Sequence, residues 1–103
     1  MQINTKTKHL DLTDEIENYV QEKIGHLGKY DDQIMETDVR LFAGKEHTSD
    51  TKFRAEITMH LPKTMIVAEG RGLDIHAAID DVIEKLERQL EKYKHKMFGQ
   101  TKK

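Results

Sequence analysis

The ten residues Lys52–Leu61 constrain this chain more than any other stretch. Phe53, Ala55, Ile57, Met59 and Leu61 alternate there with Lys52, Arg54, Glu56, Thr58 and His60. A period of two held this long predicts a strand with one apolar and one polar face. A sheet containing it keeps one face in water and buries the other. Helices are then driven to the same side of that sheet, so the chain should form two layers.

The remaining pattern supplies the other elements. Gln2–Lys6 reads as a short strand. Thr13 is placed to cap a helix whose first turn carries Asp14 and Glu15, favourable at its positive end. Ile16, Val20, Ile24 and Leu27 form its apolar face, with Tyr19 and Tyr30 flanking, and Gly25 and Gly28 weaken its end near Lys29 or Tyr30. In the next strand Met35, Val39 and Leu41 are expected to point inward, with Glu36, Asp38 and Arg40 outward. Gly44–Asp50 reads as an exposed, mobile hairpin loop. Leu61–Pro62–Lys63 makes a tight turn into a fourth strand, Thr64–Arg71, whose inner face is ambiguous because Met65/Val67 and Ile66/Ala68 are both apolar. Gly70 and Gly72 read as a strand-to-helix turn leading to Asp74, the N-cap of a last helix that runs to Met97.

The expected architecture is α+β, in the order β-α-β-β-β-α. It is a two-layer sandwich with a four-stranded sheet and both helices on one face. If the first two strands are parallel neighbours, their crossover is right-handed, and the remaining strands can pair as an antiparallel meander. Residues 1–97 make one domain and 98–103 a short basic tail.

The last helix sorts its side chains into three stripes at ~100° per residue. Ile75, Ile79, Val82, Ile83, Leu86, Leu90, Tyr93 and Met97 share the apolar stripe. Asp80, Glu84, Glu87 and Glu91 fall on a second face, and Lys85, Arg88, Lys92 and Lys96 on a third. The net charge of -2 hides this segregation. Residues 85–103 hold seven Lys or Arg against two Glu, and residues 1–84 hold ten against seventeen Asp or Glu. A polyanion responds to the local potential, so the total does not exclude one as a partner. Asp81–Lys85 and Glu84–Arg88 fit i, i+4 ion pairs worth ~0.3–0.5 kcal/mol each. Arg88–Lys92 and Lys92–Lys96 are like-charge neighbours at the same spacing and cost a comparable amount. From the pattern alone, a solvated face and an anion-binding face both remain open. The stripe spans ~16 Å at 1.5 Å per residue, long enough to follow several phosphates. Only Phe42 stands where a base might stack on the sheet, so contacts to backbone phosphates are expected to dominate.

Catalytic signatures are missing. No two histidines stand at i, i+4 on a helix, and no phosphate loop or nucleophile elbow is present. His9, His47, His60 and His95 read as solvated, and Asp80–Asp81 diverge by ~100° on their helix. No catalytic residue, metal or cofactor is expected. Zero cysteines and no long apolar run make a cytoplasmic protein without a membrane span the expectation.

The residues also resemble a known family. Ala78-Ile79-Asp80, Lys85-Leu86-Glu87-Arg88-Gln89-Leu90 and then Lys92, Lys94 and Lys96 are similar to the closing signature of bacterial ribosome hibernation-promoting factors. That family includes the ribosome-associated translation inhibitor and is also called the sigma-54 modulation protein family. Leu12-Thr13, Tyr19-Val20, Lys23-Ile24, Leu27 and Lys29-Tyr30 resemble its first helix, and Met1-Gln2-Ile3-Asn4 its opening strand. The resemblance implies a fold similar to double-stranded RNA-binding domains and a non-enzymatic role. It implies binding to the small ribosomal subunit and its ribosomal RNA in the decoding region, where messenger and transfer RNA are excluded, and hibernation in stress or stationary phase. It implies RNA contacts from Lys23, Lys29, Lys85, Arg88, Lys92 and Lys96. Lys23 lies near the apolar stripe, so its stem should pack while its ammonium reaches outward. The length fits the short members, taken as monomeric off the ribosome and associated with a separate ribosome modulation factor. His76 departs from the pattern, since many members carry Tyr there. The alternatives are a free-standing module for double-stranded RNA and a protein-interaction regulator.

Overall fold

The computed structural model describes residues 2–27, 34–44 and 52–98, with side chains as far as residue 95. Its elements are β1 (Gln2–Lys8), α1 (Asp14–Leu27), β2 (Glu36–Ala43), β3 (Phe53–His60), β4 (Met65–Gly72) and α2 (Ile75–Phe98). The sheet order is β1-β2-β3-β4, parallel between β1 and β2 and antiparallel thereafter. This is the expected architecture, with β1 two residues longer than the pattern suggested. The expected end of α1 beyond Leu27 and the 44–50 loop beyond Gly44 lie outside the described residues.

Both helix starts form as their sequences dictate. The Ile16 N–H donates to Thr13 Oγ1 at 3.2 Å, and the Ala77 N–H donates to Asp74 Oδ1 at 2.8 Å. The turn before β4 closes through the Leu61 N–H, which donates to the Thr64 carbonyl at 2.9 Å. Ile16, Val20, Ile24 and Leu27 of α1 and Ile75, Ala78, Ile79, Val82, Leu86 and Leu90 of α2 are buried in one core. Opposite them lie Val39 and Leu41 of β2, and Ala55, Ile57 and Met59 of β3. Burying the Val, Ile, Leu and Met side chains among them stabilises the fold by ~1.5–3 kcal/mol each.

One inner face differs from the sequence reading, and a second, left open there, is resolved. Met35 is 61% exposed and lies one residue before β2 begins. Ile34 enters the core instead, and the inner positions of β2 are Thr37, Val39 and Leu41. In β4 the ambiguity resolves towards Ile66, Ala68 and Gly70 inside, with Met65 and Val67 outside. Gly70 and Gly72 are strand residues, not a turn. A Cβ built on Gly70 would lie 2.3 Å from the Val82 nitrogen, and one on Gly72 2.6 Å from the Ala78 nitrogen. They let the backbone of α2 lie directly on β4.

A candidate nucleic-acid interface along α2 and the β4 edge

The position of α2 over β4 decides what its basic stripe can reach. β4 ends the sheet, and alternate residues of such a strand turn both backbone groups away from their neighbour. Three of these groups are met by side chains spaced four residues apart on α2. Asp81 Oδ2 accepts from the Arg71 N–H at 3.0 Å, Lys85 Nζ donates to the Glu69 carbonyl at 3.1 Å, and Gln89 Nε2 donates to the Val67 carbonyl at 2.8 Å. The row follows the strand and covers the part of the edge that would otherwise pair with another chain. Gln89 had no assigned part in the sequence reading. The i, i+4, i+8 spacing was legible, but the strand edge it serves appears only in the tertiary structure.

Beside this row runs an open groove of about 330 Å³, lined by Val67, Ala68, Glu69, Lys85, Arg88, Gln89 and Lys92. Three of the expected site residues therefore converge. They are not equally available. Lys85 is held by the Glu69 carbonyl and, at 3.1 Å, by Asp81. Burial pushes the Asp81 carboxyl up, but the Arg71 N–H and the Lys85 ammonium outweigh it and hold it below the usual carboxylate range. Arg88 makes the expected pair with Glu84 at 3.2 Å between two well-exposed side chains. That pair is worth a few tenths of a kcal/mol and exchanges readily for a phosphate. Lys92 is exposed and has no ion-pair partner among the described residues.

Lys23 stands elsewhere. Its ammonium lies 3.8 Å from Asp80 and 5.2 Å from the centre of the Tyr19 ring. It belongs to a polar clasp between the helices, and the acidic stripe of α2 separates it from the groove. Tyr19 donates its hydroxyl to Asp80 at 2.6 Å. That hydrogen bond, with burial and the charges of Asp80, Asp74 and Glu15 added, pushes the phenol up to about 12. His76 lies edge-on to Tyr19 at 4.6 Å and bonds Glu15 at 2.7 Å, so it makes an aromatic contact within the clasp. Asp80 thus has a structural task that charge patterning did not reveal. His60 is not simply solvated either, since its Nε2 lies 3.1 Å from Asp38. Lys29 and the side chain of Lys96 lie outside the described residues. No group of three or more His, Asp or Glu suited to a metal occurs among the described residues, and no described helix is long and apolar enough to cross a membrane.

Known proteins resemble this chain in sequence and in fold. The chain is 38% identical to the ribosome hibernation promoting factor of Azotobacter vinelandii over 98 residues, covering 95% of this chain and 87% of that protein. It is 33% identical to the Pseudomonas putida protein of that name, covering 93% and 89%. Against the ribosome hibernation promotion factor of Deinococcus radiodurans, 33% identical, it spans only 49% of the relative's length. The crystal structure of the Thermus thermophilus Protein Y N-terminal domain superposes with a TM-score of 0.77 at 31% identity, covering 90% of this chain and 99% of that one. A ribosomal subunit interface protein from Coxiella burnetii shares the fold with a TM-score of 0.81 at 23% identity. The family described as Sigma 54 modulation protein / S30EA ribosomal protein matches residues 3–97, and the chain belongs to it.

Proposed function

We propose that this protein is a ribosome-binding inhibitor of translation that promotes ribosome hibernation. On this reading it occupies the decoding region of the small subunit and excludes messenger and transfer RNA there under stress or in stationary phase. It acts by binding, without catalysis, as a cytoplasmic monomer, and a separate ribosome modulation factor assists in pairing ribosomes. The observation that carries the reading is the cationic side of the α2 groove. Arg88 and Lys92 project there from α2, in a chain of this family; Glu84 pairs with Arg88 on the exposed surface, and no ion pair holds Lys92 among the described residues. Such cations bind phosphates by releasing condensed counterions. Lys85 contributes after giving up part of its hold on the strand edge. Lys23, Lys29 and Lys96 complete the proposed contact set, with Lys23 the weakest member because Asp80 already holds it.

The test is co-sedimentation with vacant ribosomes in sucrose gradients. The unsubstituted chain should travel with the ribosomal peaks, and Arg88→Glu/Lys92→Glu should stay at the top. The fold should survive, since exposed substitutions of this kind cost within ~0.5 kcal/mol. Normal co-sedimentation of the double variant would overturn the assignment of the groove. Preference for an RNA duplex over vacant ribosomes would overturn the ribosomal reading itself.

A further inference from the structure

The helices cover one face of the sheet, and the open face sorts its charges as α2 does. Two cross-strand rows lie at its far end in strict register. One is Lys6, Arg40, Glu56 and Glu69, and the next is Lys8, Phe42, Arg54 and Arg71. Lys6 stands directly opposite Arg40, and Arg54 directly opposite Arg71. Like charges in directly opposed positions weaken a sheet; Glu69 bridges Arg54 and Arg71, whereas no ion pair among the described residues offsets Lys6 and Arg40. The two carboxylates of these rows are spent locally. Glu56 accepts from Arg54 at 2.7 Å, and Glu69 lies 3.0 Å from Arg71 and 3.7 Å from Arg54. Lys6, Lys8 and Arg40 are exposed and have no ion-pair partner among the described residues. The acidic groups of this face, Glu36 and Asp38, gather at the other end, where Asn4 donates to both and His60 meets Asp38.

We propose that the cationic end of the open sheet face, Lys6, Lys8, Arg40 and the Arg54–Phe42 pair, is a second RNA-binding surface that takes a single-stranded segment. The Arg54 guanidinium lies 4.0 Å from the centre of the half-buried Phe42 ring. An arginine plane fixed on an aromatic ring is a platform on which an unpaired base stacks. One such platform beside three exposed cations, of which Lys6 also feels the Asp38 carboxylate, suits a strand held mainly by its phosphates, with a single base engaged. The row from Lys8 to Arg71 crosses four strands, ~14 Å at ~4.8 Å per strand, which accommodates a short stretch of backbone. An acidic protein partner fits less well, because the large apolar side chains such a partner would bury are elsewhere. Met35, Met65 and Val67 are exposed at the acidic end and along β4, and Leu73 lies beyond the sheet. Together with the α2 groove, this surface gives the domain cations on both layers, suited to a space walled by RNA on two sides. That the RNA is ribosomal rests on the function proposed above; the sheet surface itself does not.

The experiment measures binding of the full chain to purified small subunits, to protein-free ribosomal RNA and to a labelled single-stranded oligonucleotide, across a range of KCl. Lys8→Glu/Arg40→Glu should retain its melting temperature and lose tenfold or more in affinity for all three. Losing two phosphate contacts should also flatten the plot of log affinity against log salt by about 1.4. The neutral variant Lys8→Gln/Arg40→Gln should show the same trend, and it serves as the test if the Glu variant unfolds. Wild-type affinity of the folded variants for all three targets overturns the inference. If they lose the subunit but bind protein-free RNA normally, the partner is a protein and the inference also fails. Arg88→Glu/Lys92→Glu is measured alongside. Loss there with normal binding by the sheet variants rejects this inference and leaves the proposed function standing, and the converse rejects the α2 groove and keeps the sheet surface.

Discussion

The same chemical change, Gly→Ala, should have opposite signs at two places in this fold. At Gly70 a Cβ would lie 2.3 Å from the Val82 nitrogen, 2.7 Å from the Ala78 carbonyl oxygen and 2.8 Å from the Val82 Cα. All three are backbone atoms of α2, so no side chain can swing aside. Reaching the 3.4 Å at which ordinary contact begins needs a separation of 1.1 Å (3.4 less 2.3). Lifting α2 that far loosens Ala78, Ile79, Val82 and Leu86, all at 2% exposure or less. Overpacking typically costs ~1–3 kcal/mol, and rigid atoms on both sides put Gly70→Ala at about 3 kcal/mol or above. For a domain of this size that lowers the melting temperature by roughly 12–24 °C. Gly25 sits inside α1 with nothing within 4 Å of its would-be Cβ. Gly25→Ala should therefore stabilise by ~0.5–1 kcal/mol through helix propensity alone. Urea unfolding of the two variants beside the parent settles the matter. If Gly70→Ala unfolds within 1 kcal/mol of the parent, α2 does not rest on β4 as described and the close-approach argument is wrong.

Two further changes probe polar groups. Thr5 Oγ1 is buried with no hydrogen-bond partner, so Thr5→Val should leave stability unchanged or raise it by up to ~1 kcal/mol; a loss beyond that in urea unfolding would mean that the hydroxyl is satisfied. Tyr19 should ionise at about 12 in an absorbance titration, and Asp80→Asn should bring it down towards the ordinary value. Because the folded state holds this proton more tightly than the unfolded chain, the contribution is complete below pH ~10 and is lost as pH rises towards 12. Identical titration of the parent and Asp80→Asn would remove the hydrogen bond from the account.

Where one face of an element is apolar and the other is not, the sequence was enough. Ile16, Val20, Ile24 and Leu27 face the core as their spacing requires, and β3 keeps its alternation to the end. β4 was unreadable because both its faces carry apolar residues. The deciding factor was steric. A helix that touches the strand backbone needs Ala68 and Gly70 beneath it and leaves the larger Met65 and Val67 to solvent. Met35 failed for a different reason, since alternation applies only within a continuous strand and β2 begins one residue later. The basic stripe of α2 was legible as charge, but the partners of the lysines depend on contacts across many residues. The Glu69 carbonyl that holds Lys85 is 16 positions away, and the Asp80 that meets Lys23 is on the other helix. Like-charge pairing on the open sheet face was equally hidden, because Lys6 and Arg40 become neighbours only through the parallel register of β1 and β2.

The division of labour along α2 has a consequence for solution behaviour. Asp81, Lys85 and Gln89 cover three outward backbone groups of β4, while Arg88 and Lys92 are left for an anion. The two tasks should separate by mutation. Each exposed hydrogen bond to the strand contributes at most ~0.5–1.5 kcal/mol, so replacing all three side chains with Ala should leave the domain folded. It should also leave Val67, Glu69 and Arg71 free to pair with another strand, and the apolar Val67 and Met65 stand beside that edge. Sedimentation velocity over a range of concentrations should then show association that the parent lacks, while Arg88→Glu/Lys92→Glu should behave like the parent. Lys85 is the residue shared between the tasks, and Lys85→Gln, which keeps a donor for the Glu69 carbonyl, should protect the edge while removing a charge from the groove. If the triple Ala variant sediments like the parent at every concentration, the side-chain row is not what keeps the β4 edge unpaired.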